Sequence, residues 1–171
     1  RHHADVERSA VAFHDARQPR RAFVVGDDDL EGRRVHLRDE GPRYDPALFL
    51  RAMEWTLALY ARVLEAVPGS RMVIRAPSFG DKQAVALFRQ RFEELGTDLS
   101  RLTFLPPVAM PEMMAAYADI DIVLDPHPYN GGTTTMQALW MGVPVITLEG
   151  RQFVSRMGAS FVRAAGLEDW V

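Results

Sequence analysis

The 171-residue sequence has no cysteine, which excludes disulfides and thiolate metal sites and fits a cytoplasmic protein. Lysine is nearly missing as well. Of 20 Lys and Arg residues only Lys82 is a lysine, so a phosphate clamp anywhere else must use arginine or backbone amides. There is no excess of positive charge, and the net charge of −3 leaves no electrostatic footprint for nucleic acid. No apolar run approaches membrane-spanning length and no secretory signal pattern opens the chain. Neither nucleic acid nor a membrane is therefore an expected partner.

What is present is ordinary globular material, 47% hydrophobic and 25% charged, enough for one domain or for one lobe of something larger. The chain begins at Arg1 and stops at Trp170-Val171 just after a helix-like stretch, which suggests a fragment. Residues 1–40 read as an N-terminal extension or the remnant of a preceding segment. They hold short strand candidates at Ala22 to Val25 and Val35-His-Leu, a poorly striped helix from Ala4 to Ala16, and the solvated acidic turn Asp27 to Asp29. His2, His3 and His14 lack the spacing of a helical metal pair.

From residue 41 to 171 the pattern becomes regular. Asp45 as N-cap and Pro46 at the first helical position predict a long helix to about Ala66, with Leu57, Tyr60, Val63 and Leu64 on its apolar face. A strand at Met72-Val-Ile, a helix from Lys82 to Leu95, a strand at Leu102 to Leu105 and a short helix from Pro111 to Ala118 follow. This alternation predicts an α/β fold, a Rossmann-like parallel sheet with helices on both faces. Ligands in such sheets sit beyond the carboxyl ends of the strands, where the loops at residues 76–80, 106–110 and 125–132 fall.

The last of those loops carries the most chemistry. An apolar strand from Ile120 to Leu124 runs into Asp125-Pro-His-Pro-Tyr-Asn-Gly-Gly, then Thr133-Thr134-Thr135, then a helix from Met136 to Met141 and a strand from Val143 to Leu148. Backbone N–H groups in the first turn of a helix lack intrahelical partners and sit at the positive end of its dipole. Glycines allow close approach and threonine hydroxyls add uncharged donors, so the junction suits a phosphate. A plain turn at Asn130-Gly131 with Thr133 as N-cap is the alternative; three hydroxyls in a row favour the anion site.

Other features compete for a role. Asp119-Ile-Asp121 mimics an Asp-x-Asp metal signature but lies at the opposite end of its strand from the ligand loops. Asp125 and His127 stand at the carboxyl end and could line the site, His127 as a donor to phosphate or as an ordinary exposed loop residue. Arg75, at a strand end, either faces the ligand or pairs with Asp81. Met110, Met113, Met114, Met136 and Met141 read as core filling.

The residues from about Val67 to Val171 carry a resemblance. Val67-Pro68-Gly69-Ser70 precedes a strand with Arg75, and Leu102-Thr-Phe precedes residues 106–113. Pro128-Tyr129-Asn130-Gly131-Gly132-Thr133-Thr134 is followed by Leu139-Trp140-Met141-Gly142-Val143-Pro144-Val145, and then by Ser155-Arg156 with Ala159-Ser160. Over roughly the last hundred residues the chain resembles the C-terminal lobe of the protein O-linked N-acetylglucosamine transferases and their bacterial relatives of SPINDLY type.

The resemblance implies one lobe of a GT-B glycosyltransferase that holds a UDP-sugar and needs neither a cofactor nor a metal. A protein acceptor, an N-terminal lobe and helical repeats would be its partners. It implies that Thr133 and Thr134 hold the distal phosphate, near Asn130, Gly131 and His127, and that the loop around Val108 and Met110 meets the uracil edge. Three positions depart from the family. Gln137 stands where an aspartate binds the ribose, and Met113 where animal relatives have a histidine near the base. Arg43 stands where a lysine binds the diphosphate, Arg51 being the alternative match inside the helix. Gly132 replaces a histidine found in some relatives. An inverting enzyme lobe donating to protein Ser or Thr is thus expected, the alternative being a non-catalytic nucleotide-binding or interaction domain. The general base is expected in the other lobe, so the isolated chain should bind UDP weakly and catalyse nothing.

Overall fold

A computed structural model describes residues 21–25 and 46–171. Five parallel strands form one sheet in the order β3-β2-β1-β4-β5, with β1 at Arg21–Val25, β2 at Arg71–Arg75, β3 at Leu102–Leu105, β4 at Ile122–Leu124 and β5 at Val145–Ile146. The helices between them are α1 (Pro46–Ala66), α2 (Lys82–Glu94), α3 (Met110–Ala116), α4 (Thr133–Trp140) and α5 (Met157–Ala164). The expected Rossmann-like class therefore holds. One boundary is corrected. β1 belongs to the stretch assigned to the extension, yet it pairs with both β2 and β4 at the centre of the sheet, so the lobe reaches back across residue 41. The helix expected at Ala4 to Ala16, the strand at Val35-His-Leu, the acidic turn and Arg43 lie outside the described residues.

Strand residues alternate between two cores, as a pleated sheet covered on both faces requires. Met72, Ile74, Ile122, Leu124 and Ile146 pack against α1 and α2, where Tyr60, Leu64, Phe88 and Phe92 fill the layer. Val123 and Val145 face the other way, toward Ala138 of α4 and Val162 of α5. The α1 residues expected to face inward, Leu57, Tyr60, Val63 and Leu64, are all buried at one-turn spacing. Arg51 lies in this helix, as its alternative match implied.

The strand order places the reversal of winding between β1 and β4, because β2 and β3 extend the sheet to one side and β4 and β5 to the other. A crevice at the carboxyl ends of the strands is expected at such a switch point, and the loop at residues 125–132 leaves β4 there.

Candidate functional site

Asp125 follows β4 directly and is buried, its backbone N–H donating to Ile146 O on β5. A buried carboxylate is costly unless it is hydrogen-bonded. Here Oδ1 accepts from Gly131 N (2.7 Å) and Thr135 Oγ1 (3.1 Å), and Oδ2 accepts from Thr147 Oγ1 (2.5 Å). This overturns part of the expected anion site. The Gly131 amide is occupied by the protein's own carboxylate, so it does not face a ligand. The missing side chain of Gly131 serves the same packing, since a Cβ would lie 2.5 Å from Thr135 Oγ1 and 2.8 Å from Thr134 Oγ1.

Beyond that turn, Gly132 is the N-cap of α4 and its carbonyl accepts the first helical bond, from Met136 N (3.1 Å). The amides of Thr133, Thr134 and Thr135 thus occupy the first three helical positions, which have no carbonyl four residues back inside the helix. Thr133 is exposed and Thr134 half-buried, with the Thr134 carbonyl accepting from Tyr117 Oη (3.2 Å). None of the residues of this first turn is itself acidic, and the carboxylate nearest to it is that of Asp125. What the arrangement can do is bind an anion at the first turn of α4, beginning at the exposed Thr133, two residues farther along than Gly131.

Asn130 is a framework residue. It is buried, its N–H donates to Val154 O (2.9 Å) and its Nδ2 to Pro126 O (2.9 Å). His127 is half-buried between Trp55 of α1, 4.8 Å away between ring centroids, and the chain after β5. Its Nδ1 lies 3.2 Å from Leu148 O; a carbonyl only accepts, so that nitrogen carries the proton. The His127 carbonyl accepts from the Thr56 hydroxyl, and the His127–Pro128 peptide is cis. Tyr60, also on α1, lies within the field of Asp125. Burial first and the Asp125 charge second push its phenol well above the usual range, so it is neutral.

Arg75 does not pair with Asp81, which instead caps α2 by accepting from Gln83 N (2.8 Å). Its guanidinium, in a residue only 8% exposed, donates from Nη1 to Pro106 O (2.5 Å), bracing the loop at residues 106–109. Val108 and Met110 project from that loop and from the start of α3, Met110 being 56% exposed, and Gln137 Nε2 reaches Met110 Sδ (3.3 Å). Gln137, Met110 and the first turn of α4 are thereby brought together. Met113 is not. It is 8% exposed and packs with Tyr117, Val123 and Val145 in the core beneath α3. The methionines expected as core are split too, since Met110, Met136 and Met141 are exposed.

Asp119 and Asp121 are exposed at the amino end of β4, away from this cluster, and among the described residues no group of three or more His, Cys, Asp or Glu side chains could hold a metal ion. No helix among them is long and apolar enough to cross a membrane. Sequence reasoning missed Thr147 and Gly158. A Cβ on Gly158 would run into Asp125 Oδ2 and lie 2.6 Å from Thr147 Oγ1. The chain itself offered only weak signals for them, a threonine in an apolar strand and a glycine inside a helix.

Residues 50–171 match the model of glycosyl transferase family 41. The chain is 37% identical over 116 residues to a probable UDP-N-acetylglucosamine–peptide N-acetylglucosaminyltransferase SPINDLY of Solanum lycopersicum, covering 67% of this chain and 12% of that protein. It is 32% identical over 117 residues to the UDP-N-acetylglucosamine–peptide N-acetylglucosaminyltransferase of Caenorhabditis elegans, covering 68% of this chain and 10% of the relative. A solved mutant of the Thermobaculum terrenum O-GlcNAc transferase superposes with a TM-score of 0.71 at 32% identity, over 90% of this chain and 25% of that one. The chain thus spans about an eighth of the first of these relatives and a quarter of the solved structure. With its parallel sheet, its switch-point loop and this match, the chain has the Rossmann-like α/β fold of a GT-B lobe and belongs to glycosyl transferase family 41, the family of the O-GlcNAc and SPINDLY-type transferases.

Proposed function

We propose that this lobe holds the UDP-sugar donor, N-acetylglucosamine being the sugar, of an inverting, metal-independent transfer to protein Ser or Thr. The observation that carries the proposal is the start of α4, whose first turn, with Thr133 exposed on it, lies beside the switch point between β1 and β4. As the bond from the sugar's anomeric carbon to the diphosphate oxygen breaks, negative charge grows on UDP. Fixed amide donors and the helix dipole stabilise that charge without reorganising, so the leaving group needs no metal. Gln137 and Met110, joined beside that turn, place the ribose and base along the loop at residues 106–110, with the backbone at Val108 meeting the uracil edge. Arg43 supplies a cation to the diphosphate in a bidentate fork. A protein hydroxyl attacks from the opposite face of the sugar, its proton going to a base outside these residues. By this reading the chain alone binds nucleotide and turns nothing over.

Titration calorimetry of the chain with UDP, with and without magnesium, tests the reading. Binding that does not depend on magnesium is expected. Absence of heat at millimolar UDP, or binding only with magnesium, contradicts it.

A further inference from the structure

Asp125 has a place in this site that neither its charge nor the family match assigns. One of its oxygens, Oδ1, accepts from Gly131 N and from Thr135 Oγ1. Those two donors bracket Gly132, Thr133 and Thr134, so a single atom pins the segment at both ends. The carboxylate is in turn held by Thr147 Oγ1 on Oδ2, and it occupies the space that a side chain at Gly158 would need. We propose that Asp125 is a positioning residue for the diphosphate: it touches no ligand, and it sets the direction in which the Thr133 and Thr134 amides point. The inference rests on the donor-lobe reading above.

The arrangement resolves an apparent conflict. A carboxylate next to an anion site should repel the ligand. Asp125 is buried, and three donors meet its charge, the Gly131 amide, Thr135 Oγ1 and Thr147 Oγ1. Its negative charge also lies toward the amino end of α4, where it favours the helix. What the site requires of residue 125 is therefore an acceptor at the Oδ1 position, with the full charge secondary. Asparagine keeps that oxygen and can donate from its amide nitrogen to Thr147 Oγ1, a hydroxyl able to accept. Alanine removes both pins.

The readout is the ratio of affinities for UDP and uridine, which share the base and ribose and differ in the diphosphate. NMR titration of the 171-residue chain measures both. Asp125→Ala should lower the preference for UDP at least tenfold while uridine affinity stays within about twofold, and Asp125→Asn should restore the preference to within about threefold of the original. A merely structural role would reduce both affinities together. If Asp125→Ala does not fold, Thr135→Val decides, since it deletes one of the two pins and should lower the ratio about threefold or more. The inference is overturned if the alanine variant keeps the preference for UDP, if both affinities fall by the same factor, or if a folded Thr135→Val variant leaves the ratio unchanged. An unmodified chain that does not prefer UDP over uridine is the separate failure, that of the donor-lobe reading itself.

Discussion

The two ends of the sheet each bury polar chemistry, and they use it differently. At the amino end Arg101 donates from Nε to Ser70 O (2.7 Å) and from Nη2 to Val67 O (2.8 Å) and Ser70 Oγ (2.8 Å), stitching the end of α1 to the entry of β3. Three donations to groups of the chain's own make it a fastener. At the carboxyl end Arg75 donates to one carbonyl only, Pro106 O, and its buried Nε has no hydrogen-bond partner among the described residues. Asp125 there gathers donors from the turn, from α4 and from the end of β5. Polar groups at the amino end close the structure, whereas those at the carboxyl end hold loops in place around the first turn of α4. Function should therefore divide by end: changes to the polar groups that set the first turn of α4 alter ligand binding, and changes at the amino side alter stability alone.

The largest expected effect that would break this division is on nucleotide affinity. Replacing Thr133 and Thr134 together by alanine should cost about 1.5–3 kcal/mol for each charge-assisted hydrogen bond lost, read as a weaker UDP Kd with unchanged unfolding. Next comes Gly158→Ala, whose added Cβ must displace Asp125 or Thr147. Overpacking of this kind should lower stability by about 1–3 kcal/mol in chemical denaturation and weaken UDP binding as well. Arg101→Ala should lower stability by about 1 kcal/mol or more and leave UDP affinity alone, since it strips donors from Val67 O, Ser70 O and Ser70 Oγ at the amino end.

A smaller effect concerns Tyr60, a carboxyl-side residue with a structural role. Its folded-state pKa is raised by burial and then by Asp125, so the stability tied to its neutral phenol is complete below the unfolded value of about 10 and is lost as pH rises beyond it. Tyr60→Phe should remove part of that alkaline loss in a pH series of denaturation curves, with no change in UDP affinity. Smallest of all, Asp119→Asn with Asp121→Asn should change UDP binding neither with magnesium nor without it. A magnesium-dependent change there would erase the difference between the ends.

Much of this organisation is legible in the chain because it is local. The helix from Pro46, the strands on either side of residues 125–132, and the hydroxyl-rich start of α4 all show in consecutive residues. The fate of the Gly131 amide is not local. It depends on a carboxylate six residues away that is itself fixed by Thr147 and by Gly158, and nothing in a run of glycines says whether a ligand or the protein will fill the space. Met113 carries two readings, core filling and a family position near the base, and it packs in the core; its place in the sequence does not tell which side of α3 faces inward. β1 was separated from the lobe because a five-residue apolar strand, divided from Pro46 by twenty residues without clear periodicity, gives no sign that it pairs at the centre of the sheet.

The central claim is that a diphosphate rests on the first turn of α4. A crystal structure of the chain with UDP tests it most directly. The account predicts phosphate oxygens within hydrogen-bond distance of the Thr133 and Thr134 amides, with Gly131 N still bonded to Asp125. A diphosphate at the Asp119–Asp121 end, or one that makes no contact with either threonine, would contradict it.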